Sequence, residues 1–410
     1  MTRLRVLVFL ALLIAVPAFA APISDGPYLI PAADGGWMAR WVEGDDSAPK
    51  AREQRLSKKA SLSGRVLTIP AVGKLPAFKV TLRNPETGAP ANAPDEVTLP
   101  AGKPLFVVAD THGEFEILVE LLQKHGVIDR ALKWNFGSGH LAVLGDVFDR
   151  GPNHTEIVWL FYELEAQAKA KGGGLHFVLG NHETLALLGA RQYLNPKYRA
   201  SAQALGVANY ALLWDEHSLL GRWLRTKPAV QKIGGYLCLH GGLSAEIVNR
   251  GYTLTALNQS VRDMLTYTPA YTGPNDRYAP DDLRVLANNP AATQADREMA
   301  VFLVMHPLGP LWYRGYFPQA TRESGFPPAT DEDVNRVLAH FGARAIFVGH
   351  TQVPTVTPLY DGKVIAVQVY PRRDDAGAPH MEALLVKEGA LFRARIDGGV
   401  EALPHGYSAP

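Results

Sequence analysis

Apolar residues in the middle of the chain fall into short blocks separated by segments with helical spacing. The blocks Pro104 to Asp110, His140 to Asp146 and Leu175 to Gly180 predict strands, and the periodicity near Glu114 to Gly126 and Glu156 to Lys171 predicts two helices between them. This strand-helix alternation implies parallel pairing and an α/β fold. Thr184 to Lys227 reads as helical and locally aromatic, and Gln231 to Leu239 as one further strand. Tyr267 to Ala292, punctuated by Pro269, Gly273, Pro274, Pro280 and Pro290, reads as a loop, either a lid or a connector. A helix at Asp331 to Phe341 and a strand at Ala345 to Val348 precede a β-like end at Val364 to Val369, Ala383 to Val386 and Leu391 to Ile396. With no internal repeat and no interdomain linker, one domain is expected over residues 96–400. Residues 21–95 form an N-terminal extension packed on it.

Composition narrows the class. The 410 residues, 47% hydrophobic and 20% charged, suffice for a large core and argue against disorder. A net charge of +1, with Lys and Arg scattered, offers no general attraction to nucleic acid or an anionic membrane. Arg3 and Arg5 precede an uninterrupted apolar run of 11 residues, Val6 to Val16, and then Pro17 and Ala18-Phe19-Ala20. That pattern predicts an export leader at residues 1–20, cut after Ala20, and a periplasmic or secreted protein. The run is short of the roughly 18 apolar residues that predict a membrane span. Cys238, the only cysteine, excludes an intramolecular disulfide and a cysteine-based zinc site; within an apolar run it reads as a small buried hydrophobe.

The polar residues that follow the predicted strands carry the chemistry. FVVADTHG contains Asp110 and His112, AVLGDVFDRG contains Asp146, FVLGNHE contains Asn181, and His240 and His350 close later apolar runs. In parallel sheets such strand-end residues gather at one carboxyl edge, where ligands bind. Carboxylate, imidazole and amide oxygen are ligands for divalent ions, and a pair of ions roughly 3.5–4 Å apart can share a hydroxide that attacks a phosphate ester. Asp146 is the expected bridge. Asp110 and His112 complete the first metal site, and Asn181, His240 and His350 the second. Manganese, iron and zinc all suit this donor set. Any one of these residues alone has a blander reading: Asp110 as a helix cap, Asn181 as a turn residue, His240 as a buried histidine bonded to a carbonyl. Five such motifs together outweigh those readings.

The motifs ADTHG, GDVFDRG, GNHE, HGGL and GHT, spread from Ala109 to Thr351, resemble the calcineurin-like metallophosphoesterases, in particular their phosphoprotein phosphatase branch. The resemblance implies a metallophosphoesterase-type β-sandwich of mixed sheets flanked by helices, with a dimetal site at the strand carboxyl edge. It implies His182 as proton donor to the leaving oxygen, Asp149 as the carboxylate orienting it, and Arg150 as the phosphate-gripping arginine. Ala109 and Phe148 depart from the family pattern, at positions not expected to touch a ligand. Gly349-His350-Thr351-Gln352 lacks the second histidine of the GHxH ending of other metallophosphoesterases, as the phosphoprotein phosphatases do. The eukaryotic SAPNY segment is replaced by QVYPRRD. Together with GPLWYRGY, Gly309 to Tyr316, these features are similar to the bacterial Shewanella-like phosphatases, which makes Arg314 a second phosphate-binding arginine.

The expected activity is that of an exported dimetal phosphomonoesterase acting on phosphoproteins or phosphopeptides at tyrosine or at serine and threonine, by direct attack without a phosphoenzyme. One rival is a diadenosine tetraphosphate-type hydrolase, which shares the first three motifs but acts on a cytosolic dinucleotide. Another is a catalytically silent metal- or phosphate-binding protein, from which a missing His182, Arg150 or ligand would be expected. Glu183 is expected to anchor a backbone or an arginine near the site. His125, His176 and His306 read as structural or surface groups, and Trp312, Tyr313 and Tyr316 as a substrate wall or as core.

Overall fold

A computed structural model describes residues 22–45, 48–57, 61–84, 92–319 and 327–404. The expected export leader and its cut after Ala20 lie outside these residues. Among them no helix is long and apolar enough to cross a membrane.

Two six-stranded mixed sheets face each other. In the first, Leu105–Val108, His140–Val143 and Gly174–Phe177 pair in parallel, and Glu382–Lys387 and Ala390–Arg395 extend the Leu105–Val108 edge in antiparallel fashion. In the second, Tyr236–Leu239, Ala345–Val348 and Val364–Ala366 are parallel, and Val230–Ile233 runs antiparallel to Tyr236–Leu239. The alternation of side chains along a strand divides the apolar residues into two sets. Leu105 and Val107 pack with Cys238, Phe347, Ile365 and Leu384 in an inter-sheet core. Phe106 and Val108 point the other way, into a cluster shared with the helices Phe115–Lys124 and His154–Ala170. These strands are therefore buried on both faces, which explains why their sequence is a continuous apolar run.

Two elements differ from expectation. Gln231 to Leu239 is a hairpin rather than one strand, because Gly234 and Gly235, with φ of 60° and 89°, turn the chain back on itself. Thr184 to Lys227 is broken into short pieces, with helices at Pro196–Ala204 and Leu219–Arg225 around a 3-10 turn at Tyr210–Trp214. Tyr267 to Ala292 is a pinned connector: the Tyr271 amide donates to the Leu188 carbonyl at 2.8 Å, and Arg191 N–H to the Asp276 carbonyl at 2.8 Å.

The N-terminal residues are strands. Pro22–Pro31, Trp37–Asp45 and Lys50–Ser57 form an antiparallel sheet, and Val66–Ile69 pairs with Phe78–Thr81. Tyr28, Leu29, Phe78 and Val80 join the same apolar cluster as Phe115 and Trp159. Trp159 Nε1 donates to the Pro27 carbonyl at 3.1 Å, and the Thr81 amide to Glu163 at 2.8 Å.

Candidate dimetal site

The polar motifs meet where the sequence places them, just past the carboxyl ends of Leu105–Val108, His140–Val143, Gly174–Phe177, Tyr236–Leu239 and Ala345–Val348. The chain changes direction within two to four residues there, and it does so through left-handed backbone. Asp110, His112, Asp146, Asp149, Arg150 and His350 have φ of 34°, 41°, 54°, 68°, 62° and 60°. Non-glycine residues pay about 1–3 kcal/mol for sparsely populated backbone conformations, so surrounding contacts must hold each one. Glycine supplies space where the motifs cross: a Cβ on Gly180 would strike the Asp146 carboxylate, and one on Gly145 would strike the Gly180 amide.

Asp146 sits at the centre. Its Oδ2 is 3.1 Å from His240 Nε2, 3.7 Å from His112 Nε2 and 3.8 Å from His182 Nε2, while its Oδ1 accepts the His182 amide at 2.9 Å. Two groups of donors lie close enough to share an ion: His112, Asp146 and His182, and Asp146, His240 and His350, the ligand atoms within each group lying within 4.8 Å of one another. Asn181 belongs with the second, its Oδ1 being 2.8 Å from His240 Nε2. Asp110 lines the same cavity, but its oxygens also accept the His350 amide at 3.1 and 3.2 Å, so it ties the two loops together as well as facing the site.

The imidazoles are oriented from behind. The Phe148 carbonyl accepts from His112 Nδ1 at 2.9 Å and the Leu144 carbonyl from His240 Nδ1 at 2.8 Å, which turns both Nε2 atoms toward Asp146. Phe148, expected to touch no ligand, does so through its carbonyl. His240 Nε2 then confronts three acceptors: Asp146 Oδ2, Asn181 Oδ1 and His350 Nδ1, the last at 3.0 Å. Such a convergence needs a proton or a cation at its centre. His350 Nε2 is buried with no hydrogen-bond partner. The donor set therefore fits divalent ions, which would take the proton's place.

Charge follows the same pattern. Burial pushes Asp110 up to about 7, opposed by His240 and reinforced by Asp146. Burial would lower His240, yet Asp146 and Asp110 hold it up at about 9. Burial would also raise Asp146, but His240 and His182 outweigh it and hold the carboxyl well below the usual range. Burial depresses His112 to about 3 despite Asp146, and burial with the neighbouring His240 depresses His350. His182 is raised: burial opposes, but Asp146 and then Asp149 favour the imidazolium. Asp149 Oδ2 receives His182 Nδ1 at 2.7 Å, leaving Nε2 toward the cavity.

A cavity of about 270 Å³ opens over these groups. Arg150 and Arg314 lie on its wall, Arg150 with its guanidinium 5.9 Å from the Tyr370 ring centre. Arg314 Nη1 donates to the His350 carbonyl at 2.9 Å and to Thr351 Oγ1 at 3.0 Å. Trp312 lines the cavity, whereas Tyr313 and Tyr316 are core residues, the Tyr316 hydroxyl being bonded to Leu243. The sequence reading missed Tyr193, Gln352, Gln368 and Tyr370, which complete the wall. Gln352, Gln368 and Tyr370 lie in segments already singled out, GHTQ and QVYPRRD, and that adjacency was the available signal. His140 and His176 stack on each other in strands away from the site, and His125 caps a helix.

Residues 103–354 match the model of the calcineurin-like phosphoesterase family. Shewanella-like protein phosphatase 2 of Arabidopsis thaliana is 25% identical over 214 residues, 41% of this chain and 54% of that protein. Shewanella-like protein phosphatase 1 of Plasmodium berghei is 31% identical over 147 residues, 34% of this chain and 39% of that protein. The chain thus spans about half the length, or less, of these curated relatives. A solved structure, the cold-active protein-tyrosine phosphatase of a psychrophilic Shewanella species, superposes with a TM-score of 0.72 at 29% identity, covering 93% of this chain and 99% of the other.

Proposed function

Since the chain belongs to the calcineurin-like phosphoesterase family, and its relatives bear out the phosphoprotein phosphatase reading of its motifs, we propose that it is a metal-dependent phosphomonoesterase acting on phosphorylated proteins or peptides. The observation that carries this reading is the His182–Asp149 pair, 2.7 Å apart, set beside the donors around Asp146 in a cavity walled by two arginines.

Two metal ions, held by Asp110, His112, Asp146, Asn181, His240 and His350, would supply charge neutralisation on the phosphoryl oxygens and a water acidic enough to attack near neutral pH. Arg150 and Arg314 bind the phosphoryl group, whose oxygens match the guanidinium fork. His182 gives its Nε2 proton to the leaving oxygen as the ester bond breaks. Asp149 keeps the Nδ1 proton in place and the ring charged. Tyr193, Trp312 and Tyr370 give the mouth aromatic walls, which suit the ring of phosphotyrosine and leave room for the smaller phosphoserine and phosphothreonine. The ions are drawn from manganese, iron and zinc, and the leader at residues 1–20 supports action in the periplasm or outside the cell.

The test is a panel of peptides carrying phosphotyrosine, phosphoserine and phosphothreonine, with diadenosine tetraphosphate alongside, assayed with each metal in turn and after chelation. Metal-dependent release of phosphate from the peptides is expected. Preference for the dinucleotide would overturn the substrate class, and undiminished activity after exhaustive chelation would overturn the dimetal chemistry.

A further inference from the structure

Behind Asp149 a buried chain of hydrogen bonds leads away from the cavity. The Asp149 amide donates to His154 Nδ1 at 3.3 Å. An acceptor at Nδ1 requires the proton on Nε2, which is 2.7 Å from the Tyr210 hydroxyl. Tyr210 and Tyr28 hydroxyls are 2.9 Å apart, and Tyr28 donates to both oxygens of Asp25 at 2.8 Å. Thr155 Oγ1 donates to Asp25 as well, at 3.0 Å. With Asp25 accepting only, every donor has one direction: His154 to Tyr210, Tyr210 to Tyr28, Tyr28 to the carboxylate. A single tautomer of His154 satisfies this order.

Packing fixes the same ring. His154 is fully buried between Phe148 and Tyr198, its centroid 4.5 and 3.7 Å from theirs, and its own amide donates to the Tyr198 hydroxyl at 2.8 Å. Burial and the nearby Lys197 keep it neutral, as the acceptor role demands. What it holds is a strained turn. Asp149 and Arg150 are both left-handed, and Arg150 is secured separately, by its amide on the Tyr193 carbonyl and by Asn195 on its own carbonyl. For Asp149 the matching restraint is His154.

We propose that His154 is a positioning residue for the reaction, acting through Asp149 on His182, and that Asp25, Tyr28 and Tyr210 fix the tautomer in which it can do so. The N-terminal strand Pro22–Pro31 thereby takes part in placing the proton donor. This inference rests on the assignment of His182 as the acid.

A general acid matters for a poor leaving group and little for a good one, contributing about 10²–10⁴-fold where it is needed. The experiment compares kcat on a phosphoserine peptide and on p-nitrophenyl phosphate for His154→Phe, His154→Asn, Tyr210→Phe and His182→Asn, using the metal-loaded full chain. His154→Phe keeps a flat ring and loses the acceptor, so a loss of about tenfold or more is expected on the peptide, with a much smaller loss on the aryl ester. His154→Asn restores an acceptor near Nδ1 and should recover most of the difference. Equal losses on both esters, or an Asn variant no better than the Phe variant, would overturn the proposal. If His154→Phe does not fold, Tyr210→Phe decides: a loss confined to the peptide supports the relay, and no selective loss sinks it. His182→Asn separates the two levels of argument, because a variant at His182 with no leaving-group selectivity would remove the acid assignment itself.

Discussion

Glu183 Oε2 accepts the backbone amide of Asp146 at 2.8 Å, although 37 residues separate the two in sequence. The same carboxylate also takes the amides of Gly180 at 2.7 Å, Val147 at 2.6 Å and Phe148 at 3.2 Å. A fully buried anion thus holds the GDVFDRG turn against the GNHE turn, fixing the bridging ligand relative to His182. A glutamine would present an NH2 group to at least one of those amides. Glu183→Gln is expected to lower stability by about 1–3 kcal/mol and weaken metal binding, read by thermal melting and metal titration. Unchanged melting and affinity would refute the clamp.

The Asp149–His182 contact bears on pH. Because the neighbouring carboxylates raise His182, its proton is retained above the ordinary imidazole range of about 6.5, and turnover should fall on the alkaline side only beyond that. Asp149→Asn removes one of the charges that raise it, so the alkaline limb of kcat on an alkyl phosphate should move to lower pH. A limb that stays in place would show that another group carries it.

Removing the metal should change how stability depends on pH. Without ions, the folded state holds a proton on Asp110 up to about pH 7, against roughly 3.9 when unfolded, and on His240 up to about 9, against roughly 6.5. In both cases the folded form binds the extra proton, so stability is lost as pH rises through the folded values. His112 and His350, being depressed, work in the opposite sense but only below about 6.5. The chelated protein should therefore melt progressively lower from about pH 6.5 to 9, and metal should restore most where the loss is greatest. A chelated melting temperature that rises over this range would contradict the assignment.

The two arginines should fail differently. Arg150 meets the cavity from an exposed position, whereas Arg314 also holds the His350 carbonyl and Thr351. Replacing Arg150 by Ala should cost about 1.5–3 kcal/mol of transition-state binding, or roughly tenfold to a hundredfold in kcat/KM, with the melting temperature preserved. Arg314→Ala should lose activity, thermal stability and metal affinity together. Identical behaviour of the two variants would argue against the second role given to Arg314.

The site was legible in the sequence to the extent that strand ends announce themselves. Asp110, Asp146 and Asn181 follow apolar blocks within two to four residues of the strand ends, and parallel pairing brings such ends together without further information. The left-handed backbone at Asp149 or His350 was not legible in the sequence, because Asp and His tolerate it better than most residues but tertiary contact decides which of them adopts it. Tyr193 was invisible because its stretch of the cavity wall comes from an irregular segment with no period to read. The break at Gly234-Gly235 was readable, but the apolar residues on either side dominated. His154 stands where a helix was expected to begin, and its acceptor role becomes apparent only from the Asp149 amide above it.

Cys238 lies in the inter-sheet core with no exposed surface, and burial pushes its thiol well above the usual range. It is the only sulfhydryl in the chain, so the phosphate release proposed for this protein has no thiolate nucleophile to draw on. Iodoacetamide or peroxide, which silence phosphatases built on a reactive cysteine, should leave this protein's catalysis running so long as its fold and metals are intact. In a mixed extract, resistance to alkylation combined with sensitivity to chelation would separate its contribution from theirs.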